Sequence, residues 1–147
     1  MRIPLVCCAM VLVACGARAP APVEPVSSSE AAVRAFMQAA ADSNVTRMGN
    51  LWGTARGPGR PSLSQADYAK LVVVMQAYLR GDSIRVLYDR PRAGTESERD
   101  VAIQLFRGTC VKQIPVTTVR TAGGAWLVQA VDLSAAGNPA RPCDRGG

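Results

Sequence analysis

The side chains of this chain that could do chemistry are thiols, carboxylates and phenols, because the sequence contains no histidine. That absence removes Ser-His-Asp and Cys-His catalysis, histidine-ligated zinc, and the one side chain whose ordinary pKa lies near neutrality. Proton transfer would then fall to a carboxylate and a tyrosine. Asp89, Asp100 and Asp132 are the candidate acids, and Tyr78 and Tyr88 the candidate hydrogen-bond donors. Each stands at or near the boundary of a predicted element, where a solvated carboxylate is the ordinary finding, so no catalytic residue is assigned. No metal-ligand cluster and no nucleophile motif is visible, and neither a metal nor a cofactor is expected. The run Gly57-Pro58-Gly59-Arg60-Pro61 lacks the terminal Gly-Lys-Ser/Thr of a phosphate-binding loop and reads as a plain loop.

Cys15 closes a distinctive N-terminal segment. Arg2 gives it a positive start, and Ile3 to Val13 form an apolar run too short for a bilayer, which takes about 20 apolar residues. The run ends in Leu12-Val13-Ala14-Cys15, which resembles the bacterial lipobox. That resemblance implies that the Cys15 thiol receives a diacylglyceryl group and that cleavage leaves Cys15 as an acylated N-terminus. Small Ala14 suits a peptidase that admits only small side chains beside the cut. The competing readings are an ordinary secretory signal and a buried apolar helix. The Pro-rich coil that follows and the missing amphipathic period speak against the helix. Two or three acyl chains anchor stably, each buried methylene contributing about 0.8 kcal/mol. Similar lipoproteins kept in the inner membrane often carry Asp after the cysteine. Gly16 stands there instead, which favours the outer membrane if the cell has one.

The lipobox resemblance also sorts the five cysteines. Cys7 and Cys8 leave with the signal and Cys15 is acylated, so Cys110 and Cys143 remain as an even pair in an oxidising compartment. A disulfide between them would fasten the tail to the start of a strand. The rival readings are two unpaired thiols or a redox couple, and no Cys-x-x-Cys spacing supports the latter. With 17 basic and 11 acidic residues the 147-residue chain carries +6, and loss of Arg2 lowers this by one. An exported protein does not meet the chromosome, so nucleic acid is not an expected partner. Anionic lipid head groups or cell-wall polymers could meet the charge, but diffuse solvated charge is the simpler reading.

The remaining sequence must position whatever site exists. Residues 1–14 are the expected lipoprotein signal peptide, and residues 15–28 a lipidated N-terminus with a Pro/Ala-rich, semi-rigid tether. Residues 29–133 are the expected domain, and residues 134–147 a Gly-, Pro- and Arg-rich coil. Ser27 and Glu30 offer a capping box for a first helix carrying Val33, Phe36, Met37 and Ala40 and ending near Ala41. Asp42-Ser43-Asn44 breaks it and can cap a short second helix with Val45, Met48 and Trp52. Ser62 with Gln65, or Ser64 with Asp67, can start a third, whose stripe is Tyr68, Leu71, Val72, Met75 and Leu79, with Gly81 as its stop.

From there the period becomes alternating. Ile84, Val86 and Tyr88 are expected on one strand face, with Arg85, Leu87 and Asp89 on the other. After a polar connection, Val101, Ile103 and Leu105 mark a second strand. Gly108-Thr109 suits a two-residue hairpin turn into a third, Cys110 to Thr121. Pro115 within that strand implies an edge position or a bulge. Ala122-Gly123-Gly124 then turns into a fourth, Ala125 to Leu133.

Helices followed by a four-stranded antiparallel meander predict an α+β domain, with N-terminal helices packed on a curved sheet, cone-like or cystatin-like. Three places carry a further resemblance. They are Val33 to Trp52 with its Asp42-Ser43-Asn44 break, the Ser83 to Arg90 strand after a long helix, and Gly123-Gly124-Ala125-Trp126-Leu127-Val128 to Asp132-Leu133. Together they resemble the nuclear transport factor 2-like superfamily, including its SnoaL-like members, over about residues 29–133. The resemblance implies a cone-shaped pocket, for which Trp52, Tyr78, Tyr88, Asp89, Trp126 and Asp132 are the candidate lining residues. Trp52 and Trp126 would sit at its mouth or close the core.

Two functions are therefore expected. The first is a lipid-anchored, extracytoplasmic envelope protein whose domain binds another envelope protein or a small apolar ligand without catalysis. The second is a small pocket enzyme of the isomerase, dehydratase or cyclase kind. A structural spacer in an envelope assembly is the third reading.

Overall fold

The computed structural model describes residues 25–141 and Cys143. The signal segment, the acylation site at Cys15 and the tether as far as residue 24 lie outside the described residues.

The first helix, α1 (Ser29–Ala41), buries Val33, Phe36, Met37 and Ala40, the residues that recur at helical spacing. Its cap is Ser28 rather than Ser27, with the Ser28 hydroxyl accepting from Ala31 N–H at 3.2 Å. Glu30 does not reach back to the cap. It accepts instead from Arg34 one turn on, at 2.8 Å. The register is set by Ser29, whose buried hydroxyl lies 2.7 Å from that of buried Thr118 in the sheet. Among three consecutive serines, tertiary contact decides which one caps.

α2 (Val45–Leu51) is capped by Asn44, which accepts from Arg47 N–H at 2.9 Å. Trp52, expected inside this helix, is instead its extended C-cap. It leads into a small hairpin of β1 (Gly53–Thr54) and β2 (Gly57–Pro58), where a plain loop was expected. α3 (Gln65–Leu79) starts at the Ser64 cap, which accepts from Asp67 N–H at 3.1 Å. Its buried stripe is Val72, Met75 and Leu79 with half-buried Tyr68, and is narrower than the sequence suggests. Leu71, some 100° around the axis from Val72, is exposed. Gly81 follows the helix because the chain passes close to the sheet there. A Cβ on it would meet Leu105 Cδ1 at 2.5 Å and Phe106 O at 2.8 Å.

Four strands, β3 (Ser83–Pro91), β4 (Glu98–Arg107), β5 (Cys110–Arg120) and β6 (Trp126–Val131), form one antiparallel sheet in sequence order. The fold is α+β. The two-residue turn at Gly108-Thr109 joins Arg107 to Cys110 as its type demands. Two expectations fail in detail. A bulge between Val86 and Tyr88 shifts the register, so that Val86 opposes Ile103 but Tyr88 opposes Ala102 and Asp89 opposes Val101. The extra residue moves Asp89 to the face of Ile84 and Val86, and Tyr88 to the opposite one.

Pro115 is the second. It lies in an interior strand, opposite Ala102, and not at the register shift. Its carbonyl accepts from Asp132 N–H at 3.0 Å, just beyond the end of β6. The N and O of a strand residue point the same way, so its missing donor faces that end and the β4 ladder loses nothing. The tail expected as coil from Ser134 begins with a helical turn, α4 (Leu133–Ala136).

α1 touches all four strands of the sheet, and α2 and α3 pack on α1 and on each other. Ile84, Val86, Val101, Ile103, Leu105, Ile114, Val116 and Val128 meet the helices' Val33, Phe36, Met48, Leu51, Met75 and Leu79 in one core. Arg107 fastens the far end. Its guanidinium donates to Arg80 O at 2.8 Å, to Ala136 O at 2.9 Å and to Tyr78 O, placing a cation at the carboxyl ends of α3 and α4. Cys110 and Cys143 stand at disulfide distance, with Cα atoms 5.2 Å apart. A cross-link across their separation of 33 removes about 3–4 kcal/mol of chain entropy from the unfolded state.

The Ser29–Thr118 contact gives a direct test of how α1 is seated. Thr118→Val should lower unfolding free energy in urea by about 1–3 kcal/mol, because it leaves the Ser29 hydroxyl buried and unpaired. The Ser29→Ala, Thr118→Val double variant should recover most of that loss.

Candidate functional site

Trp52 sits where four segments converge. Its indole is buried and stacks on Tyr68 from α3, with ring centroids 4.8 Å apart and planes 12° from parallel. The Arg60 guanidinium lies 4.7 Å from the same indole. The indole N–H donates to Gln129 O of β6 at 3.2 Å, and Arg60 donates to that carbonyl as well. The Tyr68 hydroxyl faces two carbonyls, Gly49 O and Trp52 O, each at 2.6 Å. Burial raises the Tyr68 phenol above its ordinary pKa, and the Gly59 backbone and Arg60 offset this only in part. Trp52 thus closes the core.

Trp126 plays the other role. It lines a groove of about 510 Å³ bounded by four pieces of chain: Pro25–Val26, the end of α2, the β1–β2 hairpin, and the turn from β5 into β6. The N-terminal segment forms one wall because Val26 O accepts from Trp126 N–H at 2.9 Å. Val26, Leu51, Ala55, Pro58, Trp126 and Leu127 supply apolar surface, while Asn50, Arg56 and Thr121 are the polar side chains. No carboxylate lines it. A second cavity of about 410 Å³ lies between α2 and α3 and shares Asn50 and Pro58 with the first. A third, of about 360 Å³, opens beside Arg34, Gln38 and Asp82.

The remaining candidates lie elsewhere. Asp89 is ion-paired with Arg99, which also donates to its backbone carbonyl at 2.9 Å. Asp100 lies 3.9 Å from Arg92. The Asp132 carboxylate caps α4, accepting from Ser134 N–H at 3.0 Å and from the Ser134 hydroxyl at 2.6 Å. The Ser134 hydroxyl and the Ala135 N–H hold its pKa below the usual carboxylate range. Tyr88 is exposed, with Arg90 over its ring at 4.7 Å, and Tyr78 is half-buried with its carbonyl bound by Arg107. Tyr78, Tyr88, Asp89 and Asp132 line none of the three cavities. The structure does not bring them together.

Among the described residues no group of three or more histidine, cysteine or acidic side chains could hold a metal ion. No helix among them is long and apolar enough to cross a membrane. No family model matches the sequence, and no curated protein or solved structure matches it either.

Tyr68 and Arg60 were not singled out by sequence, although Tyr68 was placed on the core stripe of α3. What the groove can do follows from its lining. It can shelter an apolar body and meet a hydrogen-bond acceptor or anion with Arg56 and Asn50, but it offers no base and no nucleophile.

Because the folded phenol of Tyr68 is raised, its contribution is complete below the unfolded tyrosine pKa and fades as pH climbs through the folded value. An ultraviolet difference titration should show a tyrosinate step above the ordinary range near pH 10, and Tyr68→Phe should abolish it. The same variant should destabilise the fold by about 1 kcal/mol, the worth of the lost phenol hydrogen bond, since Gly49 O and Trp52 O each keep a backbone donor in Trp52 N–H and Gly59 N–H.

Proposed function

We propose that this chain is a lipid-anchored cell-envelope protein whose α+β body binds a small apolar ligand or an envelope partner without catalysing a reaction. The observation that carries the reading is the groove beside Trp126. It is concave, mostly apolar, of ordinary ligand-site volume, and free of the acid–base groups an enzyme of this kind needs.

The nuclear transport factor 2-like resemblance is compatible with the helix-then-meander order, and in that superfamily the pocket lies inside the cone. Here the space between α1 and the sheet is filled by Phe36, Met37, Met48 and Met75, among others. The usable cavity lies at the margin instead, and this supports binding over the isomerase, dehydratase or cyclase alternative. The anchor reading rests on Arg2, the apolar run and Leu12-Val13-Ala14-Cys15.

Two experiments test the two halves. Metabolic labelling with a radioactive fatty acid should mark the native chain and fail to mark Cys15→Ser. Equal labelling of both would remove the anchor. For the groove, palmitate titrated into the full chain should change tryptophan emission saturably, and Trp126→Phe should remove that change while buried Trp52 remains. Arg56→Gln should weaken the apparent affinity about tenfold through loss of a charge-assisted contact. Absence of any saturable response would mean that the groove is not a site for amphiphiles of this class.

A further inference from the structure

α3 carries an anomaly that the core does not explain. Its central run, Leu71-Val72-Val73-Val74-Met75, is apolar all round, a pattern normal for helices enclosed on every side. Only Val72 and Met75 of that run are buried. Leu71, Val73 and Val74 are 41%, 52% and 44% exposed, and Val45 at the start of α2 is 37% exposed. Val45 and Val73 line the same cavity, and Val74 is the next residue on the solvent side of α3, so these three valines form one apolar surface, while Leu71 lies on the other flank of the helix.

That cavity shares Asn50 and Pro58 with the Trp126 groove, whose wall includes Pro25 and Val26. The Val45–Val73 surface therefore neighbours the segment that leads back towards Cys15. Cys15 and Pro25 are separated by a strand of chain that extends at most about 35 Å. An anchor at Cys15 would hold this side near a bilayer. Exposed Arg47 of α2, Arg56 of the β1–β2 turn and Arg80 at the C-cap of α3 are nearby cations in the chain, and none of the three pairs with a carboxylate among the described residues. Lys70, the patch's own cation, is shared with Asp67 at 3.4 Å.

We infer that the α2–α3 face built on Val45, Val73 and Val74 docks onto an anionic lipid surface, resting its valines at the headgroup boundary with its arginines among the phosphates. The inference rests on the lipid-anchor reading above. With the anchor already holding the body at the surface, weak contacts suffice to orient it. Withdrawing the exposed halves of three aliphatic side chains from water favours the docked over the free orientation by about tenfold or more.

Lysine footprinting can test this, because Lys70 and Lys112 are the only lysines and Lys70 lies on the proposed face. The full chain, isolated from membranes with its N-terminus intact, is reconstituted into phosphatidylglycerol or phosphatidylcholine vesicles. It is then treated with a water-soluble amine-acylating reagent. Lys70 should react about tenfold more slowly on phosphatidylglycerol vesicles than in detergent, with Lys112 unchanged. Protection should weaken on phosphatidylcholine, and it should vanish in Val73→Gln/Val74→Gln, whose altered positions are exposed. Val45→Gln provides a second, independent variant.

Equal Lys70 reactivity on vesicles and in detergent overturns the inference. So does protection that persists in both variants, or protection in detergent that grows with protein concentration, which would assign the face to a second copy. Failure of the anchor is distinguishable, since the chain would then not float with vesicles at all.

Discussion

The indole of Trp52 holds together the part of the molecule that carries the groove and the apolar face. One ring is stacked by Tyr68 from α3, approached by Arg60 from the segment after the hairpin, and tied through its N–H to Gln129 of β6. Tyr68 in turn closes on the backbone of α2 at Gly49 and Trp52. This hub, with the backbone bridge between Trp52 and Val128, gives the α2 terminus, the β1–β2 hairpin and the edge of β6 a shared reference. The groove consists of the gaps between them. Its shape is a consequence of core packing one layer beneath.

Arginine supplies much of the remaining order, and it does so mainly through backbone carbonyls. Arg107 meets Tyr78, Arg80 and Ala136, Arg60 meets Gln129, and Arg99 meets both the carboxylate and the carbonyl of Asp89. A planar guanidinium can satisfy several divergent acceptors at once, which a lysine ammonium does less well. Burial of Arg107 lowers its pKa, yet a guanidinium stays charged throughout the ordinary pH range. Part of the basic excess is therefore structural.

Legibility from sequence followed the strength of the local pattern. Four strands and three helices could be read because Val101-Ile103-Leu105 alternates and Val33-Phe36-Met37-Ala40 has a helical period. The caps of α2 and α3 were readable as polar clusters before such runs, but Asn44 was one of three candidates and Ser64 one of two. What failed depended on contacts distant in sequence. Three adjacent serines made the α1 cap ambiguous until Thr118 selected one. Arg85 to Asp89 alternates acceptably with or without a bulge, so the faces of Tyr88 and Asp89 could not be assigned from spacing. α4 escaped because Leu133-Ser134-Ala135-Ala136 is a single turn, whose apolar residues also extend a strand pattern. The candidate pocket was drawn from acids and phenols near strand ends, whereas the groove is built from four chain segments with no shared motif.

The irregularity at Leu87 bears on how such a molecule survives crowding. β3 is an outer strand with hydrogen bonds on only one side, and crowded copies bring such edges face to face. An extra residue in mid-strand, with Pro91 at its end, denies an incoming strand a continuous matching ladder. The same bulge that turns Asp89 to the face of Ile84 and Val86 thereby helps keep neighbouring molecules from zipping into one ribbon.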